Sequence, residues 1–234
     1  MYKKFNVLYG PVLNMAPTLY MFAASPAVRA VLITAEAIDF KFNEIILDLL
    51  NGEQLTETYM KVNPLHTVPA LDDDGNILYD SHVINTYILD KYGKDDFLYP
   101  KDIYKRSLVQ QGLAFDLGNL YPAIKEVNMA YFRNEITCLT PSMIEMLLTV
   151  YEYLEQILSR HGWVSLDHVS LADISCYTTV TSLDYHITIK PEKYPNISNW
   201  IKRCSELPYF KNDSEHLQTF CDILEMLKTY NLIE

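Results

Sequence analysis

The first third of the chain alternates short apolar runs with apolar positions at helical spacing. Thr18 to Ala23 reads as a strand, and Val28, Val31, Leu32, Ala35 and Ile38 then recur at helical spacing behind Pro26. A proline suits a first helical turn, where its missing N–H would have found no partner anyway. Phe42 to Leu47 predicts a second strand and Leu55 to Val62 a short helix. The segments Val68 to Leu71 and Ile77 to Tyr79 flank the turn DDDGN and read as a hairpin. Ser81 is then placed to cap a helix through Ile84, Tyr87, Ile88 and Tyr92. The resulting order, β-α-β-α-β-β-α, predicts a small α/β layer: a parallel pair joined by a helix, then a hairpin and a closing helix.

At GKDDFLYPKD, residues 93–102, the periodicity breaks into a polar, proline-containing stretch, so 95–103 is expected as a linker. Everything beyond it has helical spacing: 104–134, 141–160, 170–186, 196–207 and 215–230, which predicts an all-α second domain of five helices over 104–234. Within it, VSLADI has the spacing of a capping box. Ser170 can accept from the backbone of Asp173 while the Asp173 carboxylate reaches back, and Val169 can staple to Ile174. Residues 17–94 form the expected first domain and 1–16 an extension ahead of it.

The composition narrows the classes of function. With 234 residues, 49% apolar and 21% charged, the chain has the make-up of an ordinary folded protein. A formal charge of -11 and basic residues without a run argue against nucleic acid as a partner. The four cysteines, Cys138, Cys176, Cys204 and Cys221, are far apart, which predicts buried reduced thiols and points to the cytosol. No metal-ligand spacing links His66, His82 or the other histidines, so no metal is expected. The Lys pair and apolar residues of 1–15 are interrupted by Asn6, Gly10, Pro11 and Asn14, unlike a signal peptide, and no apolar run is long enough for a bilayer.

Three places have candidate chemistry. At Val68-Pro69 a proline enters a strand; a cis bond there would turn the preceding backbone outward, leaving an N–H and a C=O to hold an extended peptide. An edge-strand proline is the plainer alternative. At Asp80-Ser81 a helix N-terminus offers free N–H groups to a carboxylate, with Asp80 available for an ammonium; a simple N-cap is the alternative. Ser25 stands between the first strand and first helix with no adjacent histidine, which argues against a serine hydrolase. Its hydroxyl could instead donate to an anion. If that anion is a thiolate, lowering its pKa by two units takes about 2.7 kcal/mol, within reach of a charge-assisted hydrogen bond with helix-dipole help.

The runs SPAVRAVLITAEA, LLNGEQL, NPLHTVPALDDDGNILYDSHVI, DKYGKDDFLYPKD, FDLGNLY and VSLADIS together resemble, in order, the insect delta and epsilon classes of cytosolic glutathione S-transferase. The likeness runs from about Pro17 to Phe210. It implies a thioredoxin-like N-terminal domain that binds glutathione, an all-helical C-terminal domain and a homodimer in the cytoplasm. Ser25 occupies the place of the serine that steadies the glutathione thiolate. His66, Thr67 and Val68, with a cis bond before Pro69, match the loop that meets the cysteinyl and glycyl parts. Asp80, Ser81 and His82 match the γ-glutamyl site, and Gln54 stands where a histidine is common.

Some residues depart from the family pattern. Ala27 and Val28 replace a Pro and a Cys, Asp80 is a methylene shorter than the usual Glu, and His82 replaces a frequent Arg. Each change at the charged positions weakens charge pairing, so useful but not especially tight glutathione binding is expected. A hydrophobic electrophile is expected over Ser25, with Tyr121, Ile124, Met129 and Phe132 as candidate lining. Core packing is the alternative for each of them. A hydrophobic-ligand carrier on the same scaffold is the competing function; a thiol-disulfide oxidoreductase is disfavoured because Ser25 is not a cysteine.

Overall fold

The computed structural model describes residues 16–231, so the expected extension lies, apart from Ala16, outside the described residues. The first domain contains β1 (Thr18–Met21), α1 (Pro26–Ala37), β2 (Asn43–Ile46), a 3-10 turn (Glu53–Leu55), α2 (Glu57–Val62), β3 (Ala70–Asp73), β4 (Asn76–Tyr79) and α3 (Ser81–Tyr92). Its sheet has the order β2-β1-β3-β4, with β1 and β2 parallel and the other pairs antiparallel. Alternation along β1 buries Leu19 and Met21, which pack with Val28 and Val31 of α1, Leu71 of β3, and Ile84 and Ile88 of α3. Between β3 and β4, Asp74 and Gly75 take φ of 56° and 83°. Two left-handed residues match the twist of a tight hairpin, and the Asp72 carboxylate accepts from Gly75 N at 2.8 Å.

The second domain contains α4 (Ile103–Phe115), α5 (Tyr121–Phe132), α6 (Pro141–His161), α7 (Leu171–Asp184), α8 (Pro195–Glu206), a 3-10 turn (Pro208–Phe210) and α9 (Asp213–Asn231). Six α-helices thus stand where five were expected, because a π-helical turn, Asp116–Leu120, divides the stretch over 104–134. Pro122 cannot donate to the carbonyl four residues back, and the wider turn absorbs that lost bond.

The α7 helix runs through the middle and is buried along nearly its whole length. Its N-terminal cap forms as the spacing requires. The Asp173 carboxylate accepts from Ser170 N (2.8 Å), Ser170 Oγ (2.8 Å), Val164 N (2.9 Å) and Trp200 Nε1 (3.0 Å). Val169 and Ile174 are both buried in the same core. One side of α7 is hydroxylated rather than apolar, and that side meets the first domain. Arg29 of α1, fully buried, donates to both oxygens of Asp213 (2.7 and 2.6 Å), to Ser182 Oγ (2.8 Å) and to Thr181 Oγ1 (2.9 Å). A buried guanidinium is tolerable only with its donors so engaged, and here they tie α1 to α7 and α9.

Candidate active site

The sheet register gathers the separate sequence candidates. Tyr20 of β1 pairs with Ala70 at the start of β3, and Ala70 pairs with Tyr79 at the end of β4. The segments that leave or enter the sheet at this end therefore lie side by side: the β1–α1 loop with Ser25, the loop with His66, Thr67 and Val68, and Asp80-Ser81 at the start of α3. Because β2 runs parallel to β1, its C-terminal end also points this way, toward the turn that holds Gln54. Strand order and direction, not spacing along the chain, bring the four together.

Ser25 is the N-cap residue of α1, with φ -66° and ψ 126°. An N-cap serine ordinarily turns its hydroxyl onto the helix's own N–H groups. Here the side chain makes no capping hydrogen bond, so both the hydroxyl and the positive end of the helix remain available to an anion.

The Val68-Pro69 bond is cis, and strand pairing begins only at Ala70. The Val68 backbone thus lies outside the ladder, as a peptide-holding position requires. Two residues that the sequence reading did not single out build this loop. Fully buried Asn63 donates from Nδ2 to the Thr67 carbonyl (2.8 Å) and to Thr67 Oγ1 (3.1 Å), and accepts from Leu65 N (3.0 Å). The Tyr59 hydroxyl donates to the same Thr67 carbonyl at 2.6 Å. His66 sits at the exposed tip with φ 47°. Gln54 donates from Nε2 to Leu49 O (3.3 Å), while its buried Oε1 has no partner among the described residues.

The start of α3 differs from the expectation in two ways. Asp80, not Ser81, is the N-cap: its Oδ1 accepts from His82 N at 2.9 Å, and Ser81 begins the helix, buried. Asp80 holds φ 75°, a left-handed value that a short Asp side chain tolerates better than most. His82 points inward. Its Nδ1 lies 3.0 Å from Asp80 Oδ1 and its Nε2 2.9 Å from Asp116 Oδ2, at the π-helical turn of the second domain. With a carboxylate at each ring nitrogen, both nitrogens must donate, so the ring is imidazolium. Burial pushes its pKa down, but hydrogen bonds and charges from Asp116 and Asp80 more than reverse this and raise it to about 9. Burial likewise raises the Asp80 carboxyl, and His82 more than offsets it, leaving it below its ordinary value.

Asp116 also accepts from Ser175 Oγ of α7 at 2.7 Å. His82 therefore serves as a charged pin between the domains, with both nitrogens already engaged, rather than as a free donor to a ligand. Asp116 lay within the FDLGNLY run, yet nothing in the sequence marked it as the partner of a residue 34 positions away.

The four lining candidates for a second substrate separate. Tyr121, half-buried, has its hydroxyl pushed up to about 12 by burial, with the Asp116 and Asp80 charges adding to it, which places it beside this cluster. Ile124 is 1% exposed and belongs to the core of the second domain. Met129 faces outward into a cavity shared with Pro122, Lys125 and Met143. Phe132 lies exposed at the end of α5. Of the four, only Tyr121 lies beside the cluster at the start of α3. The other three sit elsewhere because α5 turns one face inward and another to solvent.

All four cysteines are free; Cys176 and Cys204 are buried as expected, Cys221 is half-buried, and Cys138 is exposed, contrary to expectation. Among the described residues, no group of three or more His, Cys, Asp or Glu side chains could hold a metal ion, and no helix is long and apolar enough to cross a membrane.

A four-stranded thioredoxin-like sheet beside a helical domain, with a serine hydroxyl left unused at the start of α1, defines a two-domain class of fold. Comparison with known proteins narrows the class. The family model for the glutathione S-transferase N-terminal domain matches residues 15–90, and that for the C-terminal domain matches residues 143–208. Glutathione S-transferase 1 of Manduca sexta is 38% identical over 210 residues, covering 88% of this chain and 96% of the relative. An epsilon-class glutathione S-transferase of the housefly Musca domestica superposes with a TM-score of 0.87 at 35% identity, covering 90% of this chain and 98% of that one. A glutathione transferase homologue of Drosophila mojavensis with bound glutathione gives 0.86 at 36% identity, covering 90% and 97%. The chain belongs to the glutathione S-transferase family.

Proposed function

We propose that this protein conjugates the thiolate of glutathione to hydrophobic electrophiles, as expected of a detoxifying enzyme, with Ser25 as the catalytic residue. The observation that carries the reading is the Ser25 hydroxyl, which is left unused by the helix it caps and stands at the sheet end where Val68, Asp80 and Ser81 gather. Glutathione supplies the nucleophilic sulfur. Ser25 Oγ donates to that sulfur and favours its ionised form, with help from the N-terminus of α1. The Val68 backbone pairs with the extended cysteinyl unit. The free N–H groups of α3 and the Ser81 hydroxyl receive the γ-glutamyl carboxylate, while the partly exposed Asp80 carboxylate takes the ammonium. The thiolate then forms a bond to the electrophilic carbon, and the leaving group departs with the electron pair. Holding both reactants at one site adds to the acceleration.

Replacing Ser25 with Ala is expected to slow conjugation of an aryl halide about 10- to 100-fold, the loss of one charge-assisted hydrogen bond, with an unchanged circular dichroism spectrum. An unaltered rate would refute the role. Calorimetry is expected to show glutathione binding that is real but not especially tight, since Gln54 is tied to Leu49 and His82 is committed to Asp116. Absence of heat at millimolar glutathione would remove the basis of the reading.

The withdrawal of His82 from the ligand side also favours a second reading, a carrier of hydrophobic ligands such as steroids or other lipophilic compounds with little turnover. Tight ligand binding with conjugation near the uncatalysed rate would select it. The assembly we assign is a homodimer in the cytoplasm. Val83 and Leu117, the sequence neighbours of His82 and Asp116, are 47% and 48% exposed apolar residues, and we assign them as contacts of that dimer.

A further inference from the structure

The chain has a second cavity that none of the glutathione positions lines. It has a volume of about 400 Å³ and lies between α1, the loop into β2, and the start of α9. Arg29, Leu32, Ile33 and Glu36 face it from α1, and Tyr209, Asn212, Asp213 and His216 from the other wall. The first set has the spacing i, i+3, i+4, i+7 of one face of α1, the second runs from the 3-10 turn into the start of α9, and Phe40 and Phe42 close the side toward β2. The two faces are pinned together by the buried Arg29–Asp213 pair and are left apart beyond it. Phe40 stacks on Tyr92 with ring centroids 4.5 Å apart and meets Phe42 edge-on at 5.1 Å, which fixes the aromatic wall. Junctions between domains are a common place for small-molecule sites, and this volume falls in the usual range.

The charges around the cavity identify the ligand. Arg29 and Asp213 neutralise each other at the floor. At the mouth stand Glu36, Glu44 and Lys41, all exposed and none in an ion pair among the described residues, which leaves an excess of one negative charge when the fixed charges are counted without the titratable His216 of the facing wall. Phe40, Phe42 and Tyr209 line the wall below. Apolar and aromatic walls with a net carboxylate at the mouth together favour a hydrophobic cation and disfavour an anion.

We propose that this cavity is a binding site for a hydrophobic organic cation, an apolar ring system with one ammonium group, distinct from the site at Ser25. The charge preference is opposite to that of the glutathione site, where the ligand is an anion. The ring lies against Leu32, Ile33 and Phe42, and the ammonium sits at the mouth near Glu36 and Glu44.

Calorimetric titration with naphthylmethyl-trimethylammonium tests this, alongside naphthalenesulfonate as an anion of matched shape, with and without saturating S-hexylglutathione. The cation is expected to bind one per chain whether or not S-hexylglutathione is present, and at least fivefold more tightly than the sulfonate. Glu36→Gln with Glu44→Gln, both at exposed positions, should weaken the cation at least fivefold and leave the sulfonate unchanged. Leu32→Trp should abolish binding by filling the space, while aryl-halide conjugation persists. Equal affinity for the two probes, displacement of the cation by S-hexylglutathione, or indifference to the Glu36 and Glu44 changes would each overturn the proposal. If S-hexylglutathione itself fails to bind, the proposed function is in question, and the cation titration still decides this cavity.

Discussion

His82 shows how one side chain can change its work when its neighbours come from another domain. Read along the chain, it belongs to a DSH triplet at a helix start, next to the residues proposed to receive the γ-glutamyl unit. In the folded protein it lies between two carboxylates and holds a proton against the penalty of burial. The consequence for pH follows from the sign of the shift. A group whose folded pKa is raised stabilises the fold fully below its unfolded value, near 6.5, and that contribution is lost as the pH rises through about 9. The loss amounts to roughly 3 kcal/mol. Urea unfolding across this window is expected to show the wild-type protein losing that much relative to His82→Arg, whose charge does not titrate. A difference that stays constant with pH would mean that the imidazole is neutral. The position of Ser25 at the start of α1 was readable without the fold because its neighbourhood is local: a strand end, a proline and a helix. The orientation of His82 was not, since Asp116 and Ser175 reach it only through the tertiary arrangement.

At the scale of elements, the strands and helices of the first domain follow from periodicity and turn chemistry, and their order matches the expectation. The capping box at α7 was equally legible, because a cap is written in four consecutive residues. What the pattern did not show is how much that cap supports. Asp173 holds the helix start, the backbone at Val164 and the indole of Trp200 at once. Asp173→Ala leaves several buried donors without an acceptor, and the expected cost is about 3 kcal/mol or more. Urea denaturation would detect it as a lower midpoint at unchanged slope. A loss below about 1 kcal/mol would indicate that water replaces the carboxylate. The division of α4 from α5 escaped the periodicity because a π-helical turn keeps the apolar rhythm nearly intact while adding a residue. Its effect is local but functional, for it places Asp116 opposite His82.

In the whole molecule, the two domains are held together by apolar residues of the first, such as Ala30, Ile33 and Leu89, packed in the core of the second, and by polar joints, among them Arg106 with Asp90, Arg29 with Asp213 and His82 with Asp116, the last two crossing to the hydroxyl side of α7. Polar joints fix orientation, since each bond has one geometry. Val83 and Leu117, exposed apolar residues next in sequence to His82 and Asp116, are the dimer contacts proposed here. Sedimentation equilibrium is expected to give twice the chain mass for the wild-type protein, and Val83→Glu with Leu117→Glu should shift it toward the monomer. A monomeric wild type would remove the assembly proposed here.

The sequence by itself determined the order of elements in the first domain and the helical character of the second, because periodicity, caps and turns are set by residues within a few positions of one another, and its ordered runs sufficed for the family. Only the tertiary structure decided which candidates are engaged by other residues of the protein and which are left exposed. Whether His82 points out or in, whether Met129 lines the site or another cavity, and where α1 and α9 separate all depend on contacts between residues distant in the chain. Such contacts leave no periodic trace in either partner's own sequence, since each forms only when packing brings the other within hydrogen-bonding or van der Waals distance.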